Sequence, residues 1–274
     1  MSFLAGMATA SRARVERARS LQSDREIQAQ ARALPPPPKL ALSDRGFDLI
    51  AEVKRRSPAA GLLDTGGEDI GARARDYALA GAAAISVLTE PTRFDGALEH
   101  LQQVVAALAG RAPAMRKDFL VDPYQVYEAR VAGAGGVLVI LRMLERREAI
   151  ALLEASADTQ QFVLLEAFDE ADLDFAAELV RDFGARVTLL AGVNCRDLTS
   201  LQVVPGRLEA LAPHLPRAVP CVAESGVESG ADARRLAAAG YRGALVGSAL
   251  MRAGDRVALA REMLEAGRQG RRCG

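Results

Sequence analysis

Of the 35 basic residues in this 274-residue chain, only Lys39, Lys54 and Lys117 are lysines; the rest are arginines. Such a skew is the ordinary mark of a coding bias toward arginine. Any lysine that survives it becomes a candidate for chemistry arginine cannot do, because lysine can lose its proton at accessible pH while guanidinium stays charged. Lys54 and Lys117 also stand beside carboxylates at the ends of apolar runs. LIAEVK carries Glu52 and Lys54, MRKD carries Lys117 and Asp118, and VLLE ends on Glu166. AGVNCR carries Asn194 and Arg196, and VAES carries Glu224 and Ser225. Any one of these would pass as a loop charge or a solvated salt bridge. Glu52, however, lies inside an apolar run, and Glu166 directly follows four apolar residues. If the runs are neighbouring strands, these groups converge on one site for proton transfer. A cation there would polarise or protonate an oxygen, and a carboxylate would accept a proton.

The elements that must position them follow from the pattern of apolar runs. These span 47–53, 82–88, 113–117, 137–141, 162–166, 187–193, 219–224 and 243–247. Each reads as a near-continuous apolar strand, as expected where helices cover both faces of a parallel sheet. Helix signals fall between them. Asp122-Pro123 supplies an N-cap and a first-turn proline, and Gly133 closes that segment; a second helix is expected over 231–240, ending at Gly240. Eight strand–helix units in about 230 residues fit a (β/α)8 TIM barrel, the alternative being an open doubly wound sheet of about five to seven strands. Residues 1–40 read as an N-terminal helical extension with a Pro-rich linker, and 41–274 as the barrel. The extension is arginine- and alanine-rich, but Glu16, Asp24 and Glu26 argue against an organellar transit peptide.

A second signal lies at the last two runs, where Ser225-Gly226 and Gly247-Ser248 each precede a helical stretch. Glycine lets backbone N–H groups approach an anion closely, and the last two strand ends of such barrels commonly hold a phosphate. Composition narrows the rest. A formal net charge of zero argues against nucleic-acid or membrane-surface partners. No apolar stretch reaches the roughly 18–20 residues of a membrane span. Cys195, Cys221 and Cys273 lack metal or disulfide-scaffold spacing, and two histidines, His100 and His214, are too few for a histidine-rich metal site. No metal is expected, and a cytoplasmic setting is.

The segments LIAEVKRRSP, ISVLTEPTRFDG, MRKDFLVDPYQ, LLEAF, AGVNCRDL, VAESGV and ALVGSALMR appear in this order from Leu49 to Arg252. Together they resemble the indole-3-glycerol phosphate synthase family, and the N-terminal extension is similar to that family's. The resemblance implies ring closure of 1-(2-carboxyphenylamino)-1-deoxyribulose 5-phosphate, with loss of carbon dioxide and water and no cofactor. It implies Lys117 as general acid, Glu166 as base, Lys54 as partner of the substrate carboxylate, and Glu52 and Asn194 as holders of the reacting groups. Phe94 and Phe119 would wall the anthranilate ring, with Arg196 and Glu224 in support. Ser57, Ser225, Gly226, Gly247 and Ser248 would bind or flank the phosphate. Packing the charges together should also tune their pKa values toward neutrality.

Four positions depart from the family's usual residues: Ala59 and Ala97 replace serines, Gly135 a frequent aspartate, and Cys195 an asparagine or serine. None removes a principal acid or base. They leave open a divergent paralogue in a specialised indole pathway. Another phosphosugar lyase or isomerase, and a barrel that binds a phosphorylated ligand without turnover, are the remaining alternatives.

Overall fold

The computed structural model describes residues 2–44, 46–57, 61–62, 69–197 and 200–271. Eight strands lie where the eight apolar runs do: β1 (Asp48–Val53), β2 (Ala84–Leu88), β3 (Ala114–Lys117), β4 (Gly136–Ile140), β5 (Phe162–Ala167), β6 (Leu189–Asn194), β7 (Cys221–Glu224) and β8 (Gly243–Val246). All pair in parallel and close in the order β1-β8-β7-β6-β5-β4-β3-β2, giving the (β/α)8 barrel rather than the open sheet.

Helices cover the outside. Before β1 come α1 (Phe3–Leu21) and α2 (Asp24–Ala33). The crossovers then hold α3 (Ile70–Ala80), α4 (Pro91–Phe94), α5 (Leu98–Leu108), α6 (Pro123–Val131), α7 (Arg146–Asp158) and α8 (Glu170–Phe183). They continue with α9 (Arg207–Leu211), α10 (Gly230–Ala238), α11 (Ser248–Arg252) and α12 (Arg256–Gly270). Caps act where the sequence places them. The Asp122 side chain accepts from the Tyr124 N–H, Pro123 opens α6, and Gly133 follows at φ +92°. Among the described residues no helix is long and apolar enough to cross a membrane.

Burial shows which way each strand residue points. One apolar cluster, with Leu49, Ala51, Val53, Ile85, Val87, Val137, Val139, Val163 and Leu165, packs against the helices. A second, with Ile50, Ala84, Met115, Leu138, Ile140, Phe162, Leu164, Leu190, Val222 and Leu245, fills the barrel interior. Alternate residues divide between the two, as strand geometry demands. Glu52, Lys117, Glu166, Asn194 and Glu224 all fall on the inward parity, one layer above that interior core. Leu40 and Leu42 pack against the interior cluster just ahead of β1, and Phe3, Leu4 and Met7 of α1 join it as well.

The structure bears on two of the four family departures. Ala97 is the N-cap of α5 and makes no side-chain cap bond there, so a serine at this place would cap a helix. A side chain on Gly135 would meet Pro113 and the Pro38 carbonyl at 2.8 and 2.9 Å, which explains a glycine where the Pro-rich linker crosses the barrel. Ala59 lies outside the described residues.

Candidate active site

A cavity of about 280 Å³ opens at the C-terminal ends of the strands. Its walls differ by side. Phe94 and Phe119 line it after β2 and β3, with Leu138 and Ile140 on β4, Phe168 after β5, and Phe3 and Leu4 reaching in from α1. Phe119 is the hub of this apolar wall, 5.9 Å from the Phe3 ring and 6.1 Å from that of Phe94. Across the barrel, after β7 and β8, the lining is Ser225, Gly226, Gly247 and Ser248. Among the described residues, the N–H groups of Gly226, Gly247 and Ser248 donate to no protein acceptor. Unpaired backbone donors facing a cavity suit an anion.

The charged groups lie between the two sides. Lys117 Nζ stands 3.6 Å from Glu166 Oε2 and 3.6 Å from Glu224 Oε2. Asn194 Nδ2 donates to Glu166 Oε1 at 2.6 Å, while Asn194 Oδ1 accepts from the Arg196 N–H at 3.0 Å. Lys54 Nζ bonds Glu52 Oε1 at 2.5 Å. Glu52, Glu166 and Glu224 are each at most 3% exposed. Glu166 Oε2 and both Glu224 oxygens are buried without a hydrogen-bond partner among the described residues, and Lys117 is the cation nearest to them.

Their proton affinities follow from this crowding. Burial pulls the Lys117 ammonium down, but Glu166, Glu224 and Glu52 together outweigh it and hold the group above the usual lysine value. The expectation that packing would bring this lysine toward neutrality is therefore corrected: the neighbouring carboxyl groups, Glu166 first among them, favour the cation more than burial disfavours it. Glu52 stays below its ordinary range because Lys54 and Lys117 offset its burial. Glu224 goes the other way. Burial first, and the neighbouring Glu166 second, raise it to about 8, so it carries a proton at neutral pH.

Each expected residue can now be placed. Lys117, Glu166, Glu52, Lys54, Asn194, Arg196, Glu224, Ser225, Gly226, Gly247, Ser248, Phe94 and Phe119 all line the one cavity. Ser57 pairs through its backbone with Gly61 in a short hairpin, and its side chain lies outside the described residues. Gly247 does more than approach an anion. A methyl group there would overlap Glu52 Oε1 and sit 2.8 Å from Lys54 Nζ, so the missing side chain makes room for that ion pair. The ammonium of Lys54 is thereby beside the glycine-rich side of the cavity.

Other participants carry little or no sequence signal. Gly192 of β6 seats Glu224, since a methyl group there would overlap Glu224 Oε1. Asp118 turns into a network behind the wall: it accepts from Arg14 at 2.6 Å, Thr89 Oγ1 at 2.9 Å and Arg116 at 3.1 Å. Ser11 of α1 donates to the Phe119 carbonyl at 2.5 Å. These bonds tie α1 to the segment that carries Lys117.

Comparison with known proteins gives the family. A sequence profile of indole-3-glycerol phosphate synthase matches residues 4–263. The chain belongs to the indole-3-glycerol phosphate synthase family. The synthase of Mycobacterium avium is 41% identical over 258 residues, covering 93% of this chain and 91% of its own. That of Mycobacterium tuberculosis is 40% identical over 244 residues, covering 88% and 86%. Two solved structures share the fold alone. Thiamine phosphate pyrophosphorylase from Pyrococcus furiosus has a TM-score of 0.59 at 18% identity, covering 83% of this chain and 99% of its own. The 3-hexulose-6-phosphate synthase of Salmonella typhimurium has 0.62 at 15%, covering 81% and 99%. Membership in the synthase family makes the chain a carbon–carbon lyase of tryptophan biosynthesis.

Proposed function

We propose that this cavity closes the pyrrole ring of 1-(2-carboxyphenylamino)-1-deoxyribulose 5-phosphate, yielding indole-3-glycerol phosphate, carbon dioxide and water. The observation that carries the reading is Lys117, held by Glu166 and Glu224 in a cavity that has both an aromatic wall and a set of unpaired backbone N–H groups. The substrate has the same three parts: an anthranilate ring, a ketone and a phosphate. With the ring against Phe94 and Phe119 and the phosphate at Gly226, Gly247 and Ser248, the ketone falls beside Lys117.

In that pose the aryl carbon bearing the carboxylate attacks the ketone, and negative charge develops on its oxygen. Lys117 is protonated and donates there, which is the role of a general acid in carbon–carbon bond formation. Loss of carbon dioxide restores the aromatic electrons. The new hydroxyl then leaves as water while a proton leaves the ring system, and Glu166, oriented by Asn194, accepts it. Glu224 enters as a neutral acid, which spares the site a further buried negative charge and supplies a second proton near the departing hydroxyl.

Lys54 and Glu52 are assigned jointly. The ammonium beside Gly247 can serve the phosphate as well as the substrate carboxylate, and Glu52 holds it in place. Arg196, whose guanidinium donates to the Leu201 carbonyl at 2.6 Å, supports the loop that borders the phosphate side. α1 belongs functionally with the barrel, as a roof over the aromatic wall. The free thiols of Cys195 and Cys221 are in keeping with a cytoplasmic setting.

The test is direct. The purified chain, incubated with the carboxyphenylamino-deoxyribulose phosphate, should produce indole fluorescence without added metal or nucleotide. Binding without turnover would instead identify a barrel that has kept its ligand and lost its chemistry.

A further inference from the structure

The turn that presents the Gly226 N–H is not self-supporting. Ser225 and Gly226 both have positive φ, +66° and +68°, a region that costs a non-glycine residue about 1 kcal/mol or more. Such a conformation persists only where its surroundings impose it. Here the surroundings come from the loop after β6. Cys195 is buried, and its thiol donates to the Ser225 carbonyl at 3.2 Å. Burial raises the thiol's pKa above its ordinary value, so it keeps the proton that this bond needs. The same loop returns over Gly226: Arg196 bridges to Val203, and the Val204 N–H donates to the Cys195 carbonyl at 2.8 Å. A side chain on Gly226 would lie 3.1 Å from both Cys195 Sγ and Val203 Cγ1, which marks how closely these two groups clasp the turn.

The orientation of the donor follows from the planarity of the peptide. In a trans peptide the carbonyl and the next N–H point in opposite directions. A Ser225 carbonyl held toward the thiol therefore turns the Gly226 N–H away from it, and that N–H donates to no protein acceptor among the described residues. We propose that Cys195, with Val203, is a positioning pair that fixes the Ser225–Gly226 turn in its anion-binding orientation. Cys195 touches no reacting atom. Its neighbour Asn194 orients Glu166 on one side while Cys195 orients the turn on the other, so one dipeptide sets both the base and the phosphate end.

This rests on the phosphate binding at Gly226, and the experiment separates the two. Inorganic phosphate and anthranilate are used as competitive inhibitors of the wild-type chain, Cys195→Ala, Cys195→Ser and Val203→Ala, with thermal melting followed in parallel. A single lost hydrogen bond to a backbone carbonyl predicts a Ki for phosphate weakened about three- to tenfold in Cys195→Ala. The KM should rise in step, with kcat and the anthranilate Ki unchanged. Serine should restore most of the loss, since its hydroxyl is a better donor and the turn need settle by only a few tenths of an ångström. Val203→Ala should weaken phosphate in the same direction. Unchanged phosphate inhibition in Cys195→Ala overturns the proposal, as does equal weakening of phosphate and anthranilate, which would indicate general damage. A wild-type chain that phosphate does not inhibit competitively would remove the phosphate assignment itself, and the positioning role with it.

Discussion

Lys117 and Glu224 face each other across 3.6 Å with opposite electrostatic histories. Carboxylates hold the lysine charged, whereas burial and Glu166 hold the glutamate neutral. If Lys117 acts on the ketone oxygen, its contribution is made mainly in the transition state. Lys117→Met should then lower kcat about 10²–10⁴-fold with little change in inhibitor affinity. Lys117→Arg should not rescue, because guanidinium keeps the charge and surrenders its proton poorly. Near-wild-type turnover in the arginine variant would show that the role is purely electrostatic. Glu224 makes a prediction about stability. Its folded pKa lies above that of an exposed glutamate, so its contribution is full below about pH 4.5 and fades as pH rises through about 8. Glu224→Gln has no proton to lose. Its stability relative to wild type should therefore climb between these pH values and level off above them, as read from urea midpoints across the range. A flat difference would mean that Glu224 is ionised in the folded chain.

At the scale of the element, β6 shows how a strand builds a site with a residue it lacks. Gly192 faces inward beside Glu224, and an added methyl group would meet the end of that flexible carboxylate. The carboxylate must shift to make room, and in shifting it leaves Lys117. Gly192→Ala should leave the melting temperature within a few degrees and reduce kcat about tenfold or more. A fully active Gly192→Ala would mean that Glu224 needs no fixed position. The α1 helix is anchored in a comparable way, by Arg14 on the buried Asp118 and by Ser11 on the Phe119 carbonyl. Arg14→Leu removes a charge-assisted bond of about 1.5–3 kcal/mol and should raise KM more than it lowers kcat, because α1 carries Phe3 and Leu4 into the aromatic wall. These elements also mark the limit of what the sequence discloses. Strand ends such as VLLE and MRKD were legible because a carboxylate or lysine on an apolar run has few bland explanations. Gly192, Ser11, Arg14 and the network of Asp118 behind the wall were not, since a glycine in an apolar run carries no sign of its neighbour. The Arg14–Asp118 contact spans 104 residues, and no local pattern encodes it.

For the whole molecule, the barrel separates chemistry from support along its axis. The C-terminal ends of the strands gather the polar residues, and the opposite end is closed by packing. That division could be read from the sequence in outline, because Glu52, Lys117, Glu166, Asn194 and Glu224 fall at or near the ends of the apolar runs. The closing contacts could not. Gly267 of α12 lies directly against Phe47, the fully buried residue that precedes β1, and a methyl group on Gly267 would overlap the Phe47 ring. Alanine in place of glycine within a helix gains about 1 kcal/mol from backbone entropy. Overpacking a ring that has no room to move costs about 1–3 kcal/mol and more where the overlap is deep, so the steric effect wins. Gly267→Ala should therefore lower the melting temperature by about 2–8 °C while kcat and KM, measured well below the transition, stay at wild-type values. The same substitution at Gly192 should do the reverse, because its main obstacle is the end of a carboxylate side chain in the site and not a ring in the core. Measuring both variants by thermal melting and by turnover tests the division itself. A Gly267→Ala chain that is as stable as wild type but slower would place α12 in the catalytic machinery and refute the separation.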